Sequence, residues 1–209
     1  RVIVFVDNNA EIAARPGPNA KTDPVSEFDP MLAAWGVQMV KGKVAGDIQT
    51  ARRVNVQQGG KLETTSYVVW LSLLPENMAR DDVITGELQM VNVGSAGILE
   101  AIEGAETTIT PLLQTSLLSM EIDSDLLTPR PDVLALFRNF KPSNKKLTLA
   151  ARVSGKTKTA FPDGPPETVV DAEKSIPQLI FSASGINVIV VADTDMLRDR
   201  LWVDRQNVY

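Results

Sequence analysis

The sequence predicts an α/β fold: a partly parallel sheet with flanking helices and a long antiparallel β-rich insertion. Three observations predict it. Val2–Val6 and Ile186–Ala192 are apolar runs rich in β-branched residues, the second interrupted only by Asn187, the pattern of strands covered on both faces. Residues 37–160, between them, are a succession of strand-like segments separated by glycine and polar turns. The 209 residues, 44 % hydrophobic and 22 % charged, suffice for one domain with a substantial core.

Val2–Val6 ends on Asp7-Asn8-Asn9, and the breakers between Arg15 and Pro24 read as a loop. Phe28–Trp35 reads as a short helix. Asp29 would be its N-cap, Pro30 its first helical residue and Gly36 its stop, with Phe28, Met31, Leu32 and Trp35 as the buried stripe. Strands are expected over Val37–Val44, Gln49–Val56 and Leu62–Leu74, the last two joined by a turn at Gln58-Gly59-Gly60-Lys61. Asn77–Asp82 is a polar break. Val83–Val93 reads as a strand pair or one irregular strand, and Ala96–Glu103 as strand or helix. Thr108–Ile122 alternates like a strand, Pro131–Phe140 looks helical, and Leu147–Val153 is a further strand. Phe161–Pro166 is a rigid loop by composition, and a helix is expected over Met196–Val203, after the second buried run. The whole, 1–209, reads as a single α/β domain. Because it opens inside a strand without an initiator Met, it is read as a fragment of a larger protein.

Net charge is −5, and Lys and Arg form no stripe interleaved with aromatics, which argues against nucleic acid. The nearest basic cluster, Lys141 to Lys146 with Arg152, Lys156 and Lys158, is interrupted by Pro142 and reads as a solvated face. The absence of His and Cys removes thiol nucleophiles, Ser-His and Cys-His dyads and most zinc sites. Chemistry would fall to carboxylates, Lys or a hard cation. No stretch is long and apolar enough for a membrane span.

The polar residues that stand out close the two buried strands. Asp7, Asn8 and Glu11 follow the first; Asp193, Thr194 and Asp195 follow the second. Open α/β sheets place ligands at strand C-termini, and carboxylates two apart can hold Mg²⁺ or Ca²⁺. Favoured over that is a capping role for Asp193 or Asp195 at the following helix, with Asp199 paired to Arg198 or Arg200 at the surface. A haloacid-dehalogenase-like reading of Asp193-Thr194-Asp195 is weak, because the motif falls near the end of the chain. A glycosidase pair of Asp7 with Glu11 or Asp193 has no further support. Ser116 lacks an activating Lys at Ser-x-x-Lys spacing, so the Thr110–Ser116 hydroxyls are expected to close a turn. No catalytic residue is assigned.

Several strings taken in order resemble one family: Val2–Asp7 with Asn8, Asn9 and Glu11; Leu32–Val37; Pro111–Ser116; Ala160–Gly164; and, most specific, Val190–Val203. They are similar to the GldG-like auxiliary component of gliding-motility-type ABC transporters. The resemblance implies an extracytoplasmic (periplasmic) domain anchored in the membrane through segments outside this chain. It implies no cofactor and no catalytic residues, and ABC permease and ATPase subunits as partners. An envelope glycan or small molecule is the candidate ligand, and a homo-oligomer a candidate assembly. The function so implied is non-enzymatic binding or scaffolding; the rival class is a carboxylate-dependent hydrolase of sugars or phosphate esters, with or without Mg²⁺, using Asp7 with Asp193 or Asp195.

Overall fold

The computed structural model describes residues 2–11, 25–128, 130–164 and 179–203. Its centre is a six-stranded mixed sheet. β1 (Val2–Phe5) pairs with β11 (Ile186–Val191), which pairs with β10 (Thr148–Gly155); β10 then meets β7 (Leu99–Ala101) and β8 (Thr108–Gln114), and β7 carries β2 (Val37–Met39). β1 and β11 run parallel, and the other pairings are antiparallel.

Alternation along β11 shows why the sheet is covered twice. Val188 and Val190 point to a cluster with Leu32, Val37, Met39 and Ala151, roofed by α1 (Asp29–Ala34). Ile189 and Val191 point the other way, to Leu71, Leu73, Val91, Val93 and Leu112. That second layer comes from a three-stranded antiparallel sheet of β4 (Ala51–Gln58), β5 (Lys61–Leu73) and β6 (Val91–Gly94), beside a two-stranded sheet of β3 (Lys43–Asp47) and β9 (Ser119–Asp123). A third cluster packs Val44, Tyr67, Val69 and Ile122 under α2 (Val133–Arg138). α3 (Asp199–Trp202) follows the central sheet's last strand.

The predicted class is observed, with differences that have local causes. The run at Val2–Val6 is not buried throughout: Val2 and Ile3 are 54 % and 50 % exposed, because β1 is an edge strand. Asp29 is not the N-cap of α1. Phe28 takes that place without a side-chain bond, and the Asp29 carboxylate reaches Lys41 at 3.0 Å. Gly36, at φ 77°, does end the helix, and a Cβ there would meet Ala105. The expected strand Val37–Val44 splits into β2 and β3 around Gly42, and Thr108–Ile122 into β8 and β9. Of Val83–Val93 only the end, within β6, is strand. The strand pairings of the β-rich middle are antiparallel, as expected, and the region is built into the central sheet. Four of its strands, β2, β7, β8 and β10, belong to the central sheet. Among the described residues no helix is long and apolar enough to cross a membrane. Of the expected loops, Arg15–Pro24 and Pro165–Pro166 lie outside the described residues.

Candidate functional site: a carboxylate knot at the strand ends

The parallel register Phe5↔Val191, continued by two residues, sets Asp7 opposite Asp193 at the C-terminal ends of β1 and β11. Both are buried, and so is Asp195 two residues on. One oxygen from each lies within 4.8 Å of the others, and among the described residues this is the group that could hold a metal ion. The strand-end residues Asp7, Glu11, Asp193, Thr194 and Asp195 are therefore brought together as their pattern suggested.

Every carboxylate oxygen in the knot already accepts a bond from the protein. Asp7 Oδ1 accepts from Asn9 N at 2.8 Å, and Oδ2 from Thr194 N and Thr194 Oγ1 at 2.8 and 2.7 Å. Asp193 Oδ2 accepts from Gly94 N at 2.8 Å and Oδ1 from Met196 N at 3.1 Å. Asp195 Oδ2 accepts from Glu11 N at 2.6 Å, and Arg198 lies 3.3 Å from Oδ1. Glu11 Oε1 accepts from Trp70 Nε1 at 2.6 Å and Ser95 Oγ at 2.9 Å, and Oε2 receives Arg200. The Arg200 guanidinium also lies 4.7 Å from the centre of the Trp70 ring, a cation–π contact.

Asn8 points elsewhere. Its amide donates to Val40 O and Lys43 O at 2.5 and 2.8 Å, tying the end of β1 to the turn between β2 and β3. Ser95, 0 % exposed, sits at φ 58°, in the left-handed region that costs an L-residue about 1–2 kcal/mol. That conformation accompanies two bonds, Ser95 N to Val69 O and Ser95 Oγ to Glu11.

Burial, more than any neighbour, sets the electrostatics. It pushes the Asp7 carboxyl up to about 6 against the lowering effect of the Thr194 and Asn9 donors, with Asp195 adding a smaller upward push. Asp193 is raised well above the carboxylate range by burial and then by Asp7. Asp195 is raised by burial, countered by the Glu11 N–H.

The helix expected at Met196 is instead a 3-10 turn, Asp195–Leu197, followed by the four residues of α3. Asp193 caps that turn through Met196, as the capping reading has it, but Asp195 caps neither helix. Nor do the arginines pair with Asp199: Arg198 goes to Asp195 and Arg200 to Glu11. The Ser116 hydroxyl does close a turn, accepting from Leu118 N at 3.0 Å. It also donates to Asp47, a wholly buried carboxylate that receives Gln49, Thr50 and Ser116 backbone N–H groups. Asp47, Trp70 and Ser95 are the partners that sequence reasoning missed. They lie on or beside other strands, β3, β5 and the end of β6, and nothing in their local sequence ties them to these partners.

Residues 1–209, the whole chain, match the family model described as ABC-type uncharacterized transport system. The chain belongs to this family of ABC transport auxiliary proteins. Comparison with curated proteins and with solved structures finds no significant match. Family membership gives this auxiliary domain a role as an accessory to an ABC transport system.

Proposed function

We propose that this auxiliary domain is a non-enzymatic, extracytoplasmic binding or scaffolding unit of a gliding-motility-type ABC transporter, working beside the permease and ATPase subunits. The observation that carries the reading is that the four carboxylates of the knot are committed to donors of the protein itself. A hydrolase needs a carboxylate free to take a proton or attack at a substrate-accessible place. Here Asp7, Asp193 and Asp195 are buried, and neither His nor Cys is present to substitute for them. The knot then serves to fix the strand ends from which loops meet a partner, ligand or glycan. Within Asp7, Asn8, Glu11, Asp193, Thr194 and Asp195, the half-buried Glu11 and Thr194 are the ones an incoming hydroxyl would meet first.

The test is twofold. Because the chain has no cysteine, single cysteines introduced at exposed positions report its location unambiguously. Labelling by an impermeant maleimide in intact cells supports an extracytoplasmic domain; labelling only after lysis refutes it. Co-purification of the permease and ATPase from detergent-solubilised membranes supports the partners. Turnover of phosphate esters or glycosides, abolished by Asp193→Asn, would overturn the non-enzymatic assignment.

A further inference from the structure

The hairpin of β4 and β5 is built unlike the rest of the molecule. The strands pair from Ala51↔Leu71 to Gln58↔Lys61, and Gly59-Gly60, at φ 57° and 78°, close a two-residue turn that demands positive φ at both positions. Such a turn makes Gln58↔Lys61 a hydrogen-bonded pair. By alternation, Arg53, Asn55 and Gln57 then turn their backbone N–H and C=O groups away from β5. β4 is the outer strand of the order β4-β5-β6, so among the described residues that edge has no ladder partner. From Gln57 to Thr64 every residue is exposed. A two-stranded ribbon without a covering layer gains little from its own contacts.

The charge of this ribbon is also opposite to that of the chain. Ala51–Leu62 holds Arg52, Arg53 and Lys61 and no acid, in a protein of net charge −5. Among the described residues none of these three cations is in an ion pair, and Arg52 Nη1 is buried without a hydrogen-bond partner. Beside the ribbon lies a cleft of about 320 Å³, with Arg53, Thr64 and Ser66 on the hairpin side and Phe137 and Arg138 on α2; Glu63 is its one acid.

We propose that the outer edge of β4 accepts an extended acidic segment of a partner protein as an added strand, with its carboxylates directed to Arg53 and Arg138. The outward groups of Arg53, Asn55 and Gln57 supply the main-chain bonds, and alternate side chains of the guest supply selectivity. Charge selects this occupant over a second copy of the chain. Pairing β4 with β4 of another molecule would gather four arginines, Arg52 and Arg53 of each copy, with no acid on either strand, and charges on an edge strand are a common device against self-pairing.

The test uses the 209-residue chain and a fluorescein-labelled heptapeptide alternating Asp or Glu with Val or Thr, read by anisotropy. Saturable binding is expected. It should weaken by at least about tenfold when the peptide is N-methylated at alternate residues, and by a similar factor for Arg53→Glu, whereas Arg53→Lys retains most of it. Amide exchange at Arg53, Asn55 and Gln57 should slow in the complex. Equal binding of a peptide with Lys in place of each acid overturns the proposal, as does indifference to N-methylation, which would leave only a diffuse electrostatic contact. A concentration-dependent dimer that protects the same amides without peptide assigns the edge to a second copy instead. No binding of the acidic peptide also refutes it. If Arg53→Glu alters the circular dichroism, the N-methyl comparison on the unchanged protein decides.

Discussion

The knot at the ends of β1 and β11 and the ribbon of β4 and β5 are both polar, yet they treat charge in opposite ways. In the knot four carboxylates are buried or half-buried, and each oxygen has a donor from the chain. In the ribbon Arg53 and Lys61 are exposed and Arg52 is half-buried, and among the described residues none of the three is in an ion pair. Desolvated groups must be satisfied internally, because a lost bond there costs the full desolvation penalty. Groups facing water carry no such demand and remain available to partners. The most conspicuous sequence motif is therefore a fastening, and the least conspicuous strand is the open surface.

The largest test of this contrast is pH. The Asp7 carboxyl is raised from 3.8 to about 6, so the folded state binds its proton more tightly than the unfolded state. Its contribution to stability is fully present below about 3.8 and is lost as pH rises through about 6. The span is on the order of 3 kcal/mol at most. Asp82 acts in the reverse sense: Arg152 lowers it through two bonds of 2.8 Å, so its contribution is lost as pH falls below the ordinary carboxylate range. Chemical denaturation should show a maximum near pH 4 and a decline between about pH 4 and 6, with no further loss from Asp7 above about 6. A profile flat between pH 4 and 6 would mean that the knot is not desolvated in the way its geometry indicates. The same experiment with millimolar Mg²⁺ or Ca²⁺ at pH 8 reads the alternative, since a cation among Asp7, Asp193 and Asp195 would restore the lost stability.

Asp193→Ala should cost about 2 kcal/mol at neutral pH, read from the denaturation midpoint. It orphans the buried N–H of Gly94 and that of Met196, each worth about 1–3 kcal/mol, and partly offsets this by relieving the crowding with Asp7. A net stabilisation would show that like-charge repulsion outweighs the fastening. Glu11→Gln is milder. It keeps an acceptor for Trp70 and Ser95 but loses the charge opposite Arg200, for about 1 kcal/mol and a shift in tryptophan emission.

How much of this the sequence disclosed depends on the range of the interactions. The strand in Ile186–Ala192, buried from Val188 onward, the Gly59-Gly60 turn and the helix α2 are local or periodic, and all were legible; the Asp132 cap of α2 was not read. The pairing of Asp7 with Asp193 could be anticipated because both end similar strands. What could not be read was saturation: the donors from Gly94, Ser95 and Trp70 arrive from positions over 50 residues away. Edge position was equally hidden. Val2–Val6 has the composition of a central strand, and only topology leaves Val2 and Ile3 exposed. Asp29 is not the cap because the helix begins one residue earlier than expected, with Phe28 in the cap position, and the Asp29 carboxylate faces the exposed Lys41.

The smallest effect is the most discriminating for the ribbon. Arg53→Glu replaces an exposed side chain that has no ion pair among the described residues, so unfolding free energy should move by less than about 0.5 kcal/mol, against about 2 for Asp193→Ala. Stability and binding should thus separate cleanly between the two regions. The knot variant loses stability while the ribbon amides exchange as before, and the ribbon variant keeps its denaturation midpoint while losing affinity for an acidic strand. A loss of stability above 1 kcal/mol in Arg53→Glu would instead place Arg53 among the residues that hold α2 against β5, turning the cleft between them from a docking surface into packing.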